Sequence, residues 1–241
     1  VAILAAGKGT RMNSDLPKVL HKIHNKPLLE YVLKASSKVP KIDETYVIIG
    51  HQGEKVIKAF EKRQDLIYVE QTHQLGTGHA VMQLIPYLQD KHGSILILCG
   101  DTPLLSTKSL ENLLKVQKTD KASAVVMTAN LEHPFHYGRI IRANNGSVLG
   151  IREYRDCSEE DRLIKEINSG VYCFDIQDLI WALQHLKPEN DQQEYYLTDT
   201  LEVLKHHHKT IAAWQTNDPD EISGINTLHE LEEVGRKMVH A

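Results

Sequence analysis

The sequence predicts an α/β fold, with a mostly parallel sheet covered by helices on both faces. Three features point to it. Short runs rich in Val, Ile and Leu, each ended by turn residues, have the length and composition of fully buried strands. Stretches with apolar residues at spacings of three and four lie between them and carry helical periodicity. Strand and helix alternating in this way require right-handed crossovers. With 241 residues and 41% hydrophobic content, the chain can bury its core as one large domain or as one domain with a small lobe.

In chain order, VAILAA (1–6), TYVIIG (45–50), LIYVEQ (66–71) and SILILCGD (94–101) read as buried strands. PLLEYVLKASSKV (27–39), EKVIKAFEKR (54–63) and TGHAVMQLIPYL (77–88) read as the helices between them. The pattern changes after residue 120. ASAVVMTAN (122–130) and the stretch 137–155 predict sheet, with a hairpin turning at Asn144, Asn145 and Gly146, since Asn-Gly is a strong turn signal. NSGVYCFD (168–175) is another strand, LTDTLEVLKHH (197–207) a helix and TIAAWQT (210–216) a strand. The charged segment 226–241 reads as a final helix.

Composition narrows the function. The 28 basic and 32 acidic residues are interspersed and the net charge is −4, so the chain has no field that nucleic acid or an anionic membrane would select. The three cysteines, Cys99, Cys157 and Cys173, are odd in number and lack CxxC spacing, which fits buried thiols in a reducing cytosol. The apolar runs are too short for a membrane span or an export signal, so a cytoplasmic location is expected. His206, His207 and His208 end a helix, where polar or cationic side chains suit the dipole; a solvated terminus is preferred to a metal site.

The stretch LAAGKGTRM (4–12) follows the first strand directly. Glycines there let the backbone turn tightly and bring N–H groups close to phosphate. A dinucleotide fingerprint would need Gly where Met12 stands, and a P-loop would need Ser or Thr where Gly9 stands. Gly7 and Gly9 alone fit an ordinary strand-to-helix turn equally well. Arg11 and Lys18 tip the balance, because two cations beside a loop of N–H donors neutralise a polyphosphate.

LAAGKGTRM followed by LPKVLHKI (16–23) resembles the signature of sugar-nucleotide pyrophosphorylases. The nearer resemblance is to the uridyltransferase domain of the bifunctional N-acetylglucosamine-1-phosphate uridyltransferase/glucosamine-1-phosphate acetyltransferase, the GlmU family. QTHQLGTGHAV (71–81), CGDTPLL (99–105), YGRI (137–140), GIREYRD (150–156), KEINSGVY (165–172), EYYLTD (194–199) and GIN (224–226) continue the likeness in the family's order. The resemblance implies a Rossmann-like nucleotide-diphospho-sugar transferase fold, mostly parallel but mixed, with a small β-rich sugar-binding lobe. It divides the chain into a nucleotidyltransferase domain, 1–225, and a C-terminal helix, 226–241, that begins a linker to an absent β-helix domain. Within the domain, 1–120 would be the nucleotide-binding part and 121–225 the sugar-binding part.

The implied reaction transfers UMP from UTP to N-acetyl-α-D-glucosamine 1-phosphate, with Mg²⁺, giving UDP-N-acetylglucosamine for cell-envelope synthesis. The resemblance implies nucleotide contacts from Leu4, Ala5, Ala6, Gly7, Gly9, Thr10, Lys18, Gln71, Gly76 and Thr77. Arg11, Lys18 and Asp101 would carry catalysis. Asp101 and Asn226 would hold Mg²⁺, and Gly138, Glu153, Asn168 and Asn226 the sugar. Apart from the resemblance, a carboxylate after a buried strand suits a divalent ion, and Gln71 and Gly76-Thr77 stand at the carboxyl edge of the sheet, where ligands bind. The residue before Gly100, often aromatic in such enzymes, is Cys99 here. Two alternatives stay open: a related nucleotidyltransferase for another sugar or nucleotide, and a non-catalytic nucleotide-sugar sensing module. No hexapeptide repeat is visible, so the chain is expected to be a monomer without acetyltransferase activity, whereas full-length family members are trimers through the β-helix.

Overall fold

The computed structural model describes residues 1–238, which form a nine-stranded mixed sheet with helices on both faces. The elements are β1 (Ala2–Ala5), β2 (Lys22–Ile23), β3 (Lys26–Pro27), α1 (Leu28–Ser37), β4 (Thr45–Ile49), α2 (Gly53–Ala59) and β5 (Leu66–Glu70). They continue with α3 (Thr77–Met82), α4 (Ile85–Leu88), β6 (Ser94–Cys99), α5 (Thr107–Asp120), β7 (Ala124–Asn130), β8 (Arg139–Arg142) and β9 (Val148–Arg152). Last come α6 (Glu159–Arg162), β10 (Glu166–Asp175), α7 (Ile176–Gln184), α8 (Asp199–His206), β11 (Ile211–Gln215) and α9 (Leu228–Lys237).

The strand order is β11-β7-β10-β6-β1-β4-β5. β6, β1, β4 and β5 are parallel, β10 runs antiparallel between β6 and β7, and β11 is parallel to β7. The β8–β9 hairpin attaches to the start of β10 through Arg139 and Ile167. Strands from both halves of the chain therefore share one sheet. Each sheet face has its own core. Ile48, Ile97, Val126, Tyr172 and Phe174 meet α3, α7 and α8 on one side; Ile3, Val47, Leu98, Val125 and Cys173 meet α1, α2 and α5 on the other. Burial on both faces explains why these strands read as unbroken apolar runs.

Several expectations are adjusted. The run 77–88 is two short helices, because Pro86 lacks the N–H that a continuous helix would bond to Met82. The second helix stops at Ala59, short of Arg63. The last begins at Leu228 under a Thr227 cap, so Asn226 precedes it; residues 239–241 of the expected helix lie outside the described residues. The Asn144–Gly146 turn forms, with Gly146 at φ 82° and its N–H bonded to Ala143 O at 2.8 Å. Two helices, α5 and α7, lie outside the elements expected above, although apolar residues recur in them at spacings of three and four (Leu110, Leu113 and Leu114; Ile176, Leu179, Ile180 and Leu183) behind Ser106 and Asp175 caps.

Candidate active site

Register assembles the site. Leu4 of β1 pairs with Ile48 of β4 and Cys99 of β6, and the Gly100 N–H donates to Leu4 O at 3.0 Å. The glycine loop, Gln71 and Asp101 thus leave the sheet at one carboxyl edge, around a cavity of about 320 Å³. Of the residues singled out in the sequence, Leu4, Ala5, Ala6, Gly7, Lys18, Gln71, Gly76, Thr77 and Asp101 line it, whereas Gly9 and Thr10 do not. Lys8, Val19, Gln74, Ala80, Cys99 and Glu194 line it too, without having been singled out as contacts. A larger cavity of about 550 Å³, beside Tyr46, Lys91 and Ile176, holds none of the expected residues.

Gly7 has open space where a side chain would stand. Gly9 adopts φ 59°, and a Cβ on it would lie 2.8 Å from Lys18 Cβ, so only glycine lets the loop close over Lys18. Past Gly9, Thr10 and Arg11 are exposed. Lys18 Nζ donates to Asp101 Oδ2 and, at 3.1 Å, to Asn226 Oδ1; Arg11 Nη2 reaches the same Asn226 oxygen at 2.9 Å. Asn226 is held in turn. Its own N–H and that of Thr227 donate to Glu230 Oε2 at 2.6 and 2.9 Å, and Ile225 N–H donates to Asp101 O at 3.0 Å. Glu230 thus fixes the backbone at Asn226, and the Thr-x-x-Glu spacing at 227–230 is the capping-box pattern that would have pointed to it.

The Asp101 and Asn226 oxygens converge on one ammonium. Two converging oxygens, one anionic, suit a hard divalent cation. Among the described residues no group of three or more His, Cys, Asp or Glu would hold a metal by itself, so such an ion would take further oxygens from a ligand.

Across the cavity Gln71 is buried; its Nε2 donates to Gly76 O at 3.1 Å and lies 3.1 Å from His79 Nδ1. Gly76 O can only accept, so the amide is oriented, and Oε1 is the group that Gln71 has left to offer. Burial, then the neighbouring His73, holds the His79 imidazole below its ordinary pKa. Gly76 sits at φ 107°, with Tyr195 O only 2.5 Å from where a Cβ would be. Tyr195 O also accepts the Gly78 N–H at 2.7 Å, so the stretch 194–197 covers the start of α3.

The expected sugar residues gather on β8–β10. Asn168 N–H donates to Gly138 O at 2.9 Å, and a Cβ on Gly138 would stand 3.3 Å from Glu153 Oε2. Thr198 Oγ1 donates to Glu153 Oε1 at 3.2 Å; burial raises the pKa of this carboxyl, opposed by that hydrogen bond. The Gly138 loop is tied by Arg139, a buried guanidinium that bonds Tyr137 O and Phe135 O and faces the Tyr154 ring. Cys99 connects the two ends: its thiol donates to Gly170 O at 3.5 Å. Asn226, expected on both metal and sugar, makes its contacts with Arg11 and Lys18.

The chain matches the family model of the MobA-like NTP transferase domain over residues 1–165. It is 47% identical over 231 residues to the bifunctional protein GlmU of Gloeothece citriformis (strain PCC 7424), covering 96% of this chain and 50% of that protein. The corresponding protein of Bacillus subtilis (strain 168) is 44% identical over 224 residues, covering 93% and 48%. The chain therefore spans about half the length of the curated relatives it matches. The fold is also that of a crystal structure of UDP-glucose pyrophosphorylase complexed with UDP-glucose, with TM-score 0.80 at 18% identity over 99% of this chain and 97% of that one.

Proposed function

Because the chain belongs to the MobA-like NTP transferase family and stands with the GlmU proteins within it, we propose that it transfers UMP from UTP to N-acetyl-α-D-glucosamine 1-phosphate. Pyrophosphate leaves and UDP-N-acetylglucosamine forms. The observation that carries this reading is the convergence of Arg11, Lys18, Asp101 and Asn226 at the mouth of the glycine-loop cavity.

A phosphate oxygen of the sugar phosphate attacks the α-phosphorus of UTP in line, the bond to the β-phosphate oxygen breaks, and the electron pair departs with pyrophosphate. The nucleophile is already an anion, so no side-chain base is required. What the chain contributes is alignment and charge neutralisation. Gly7, Gly9 and Thr10 receive the triphosphate, Arg11 the leaving pyrophosphate, and Lys18 the phosphates at the reacting centre. Asp101 and Asn226 would hold Mg²⁺, which supplies further neutralisation of phosphate charge. Gln71 Oε1 accepts the N3–H of uracil; cytosine has an acceptor at that position, so the pairing favours UTP over CTP. Gly138, Glu153 and Asn168 hold the sugar.

In this reading residues 1–120 form the nucleotide-binding part and 121–225 the sugar-binding part, and the chain is a monomer. Among the described residues no helix is long and apolar enough to cross a membrane, and the three free thiols suit a reducing cytosol. Pyrophosphate release from purified protein tests the proposal: UTP with N-acetylglucosamine 1-phosphate is the preferred pair. Equal rates with CTP, or a preference for glucose 1-phosphate, would overturn it.

A further inference from the structure

The Asn168 carboxamide is used on one side only. Its Oδ1 accepts the Gly170 N–H at 3.0 Å and the Tyr172 hydroxyl at 2.9 Å. A backbone N–H can only donate, so the atom facing Gly170 is the oxygen and the amide has one orientation. Among the described residues no protein acceptor receives the Nδ2 hydrogens, and Nδ2 is not among the buried atoms without a partner.

A regular strand would carry residues 168 and 172 about 13 Å apart. Here the register of β10 on β7 shifts between Asn168 and Tyr172, with Gly170 at φ 77°, and the irregular segment brings the phenol to the amide. Tyr172 itself is fixed. It is 2% exposed, pairs with Ile97 of β6 and Val126 of β7, and packs its ring 5.6 Å from Phe174. Burial keeps the phenol pKa well above its ordinary value, with Glu153 adding to the rise, so the hydroxyl remains a donor throughout the physiological range.

We propose that Tyr172 is a positioning residue for substrate choice: with the Gly170 amide it locks the Asn168 carboxamide so that Nδ2 alone faces the sugar phosphate. The inference rests on the reading of Asn168 as a sugar residue given above. A locked donor selects an acceptor. The carbonyl of an acetamido group fits it, whereas the ammonium of glucosamine 1-phosphate sets donor against donor. Losing the Tyr172 hydroxyl leaves the Gly170 N–H as the one bond on Oδ1, so the carboxamide is held less firmly and Nδ2 is presented less sharply.

The test compares wild type, Tyr172→Phe and Asn168→Asp in kcat/KM for N-acetylglucosamine 1-phosphate over glucosamine 1-phosphate. Tyr172→Phe keeps the buried ring, so thermal unfolding stays near wild type. It is expected to narrow the ratio by about tenfold through the KM of the sugar phosphates, with the KM of UTP unchanged. Asn168→Asp, which offers acceptors alone, moves the ratio further in the same direction. A turnover-free readout accompanies these: the ¹⁵N order parameter of the Asn168 Nδ2H₂ group falls in Tyr172→Phe. An unchanged ratio overturns the assignment. If wild type turns over no sugar phosphate, it is the proposed function that fails, and the order parameter alone then decides the Tyr172 assignment, an unchanged value overturning it.

Discussion

Lys18 and Asn226 lie 208 positions apart in sequence, yet the Lys18 ammonium stands 3.1 Å from the Asn226 carboxamide oxygen while also bonding Asp101. The start of the chain and the segment before α9 thus close one charged notch. On the proposed reading, Asp101 would supply the charge that recruits a cation to that notch, and Asn226 only a neutral oxygen. Asp101→Asn is expected to lower turnover on the order of a hundredfold or more, roughly 3 kcal/mol of transition-state stabilisation. Asn226→Ala should lose less, and excess Mg²⁺ should restore it more readily. Initial rates across a Mg²⁺ titration separate the two variants.

Glu230 acts on the same notch from behind, through the N–H groups of Asn226 and Thr227. Glu230→Ala removes a cap interaction and is expected to cost about 1 kcal/mol of stability, seen in urea unfolding. It should also raise the Mg²⁺ concentration needed for half-maximal rate. Arg236→Ala, on the same helix, provides a control that leaves that concentration unchanged.

Gly76 admits no side chain. At φ 107°, with Tyr195 O 2.5 Å from the position of a Cβ, Gly76→Ala is expected to destabilise the fold by about 2 kcal/mol. Because Gly76 O also orients Gln71, the KM for UTP should rise at the same time. Urea unfolding combined with UTP kinetics checks both effects.

Asp199 introduces a pH dependence of stability. Burial, then Glu202, Glu153 and Asp156, push its pKa from 3.8 up to about 7, with Arg152 opposing. A raised carboxyl pKa means that the folded state holds the proton longer than the unfolded chain. Its stability contribution is therefore full below about pH 3.8 and is lost progressively as pH rises to about 7. Asp199→Asn cannot ionise. Its melting temperature should exceed that of wild type by a margin that opens above pH 4 and stops growing above about pH 7; a margin independent of pH would refute the assignment.

The strands were legible because burial on both faces leaves a run such as Ile95–Leu98 nothing polar to show. Helix α5 stands out less, since only Leu110 and Leu113 among its leucines are fully buried and lysines leave the apolar stripe narrow. The site divides in the same way. Gly9, Gln71 and Asp101 follow β1, β5 and β6 in the chain, so their place at the carboxyl edge of the sheet could be read from the strand pattern. His79, Tyr172 and Glu230 act through another side chain or a backbone N–H, and those contacts exist only after helix packing, a strand irregularity or a cap has formed. Cys99 occupied an expected aromatic position; its thiol instead meets Gly170 O, beside the irregular segment that carries Asn168.

The central claim is bond formation between the sugar phosphate and the α-phosphorus of UTP, and ³¹P NMR of one reaction mixture tests it most directly. With N-acetylglucosamine 1-phosphate carrying ¹⁸O on its phosphate, the expected result is UDP-N-acetylglucosamine with all the label retained, one labelled oxygen bridging the two phosphorus atoms, and unlabelled pyrophosphate. Label in the pyrophosphate, or UMP released without a UDP-sugar, would contradict it.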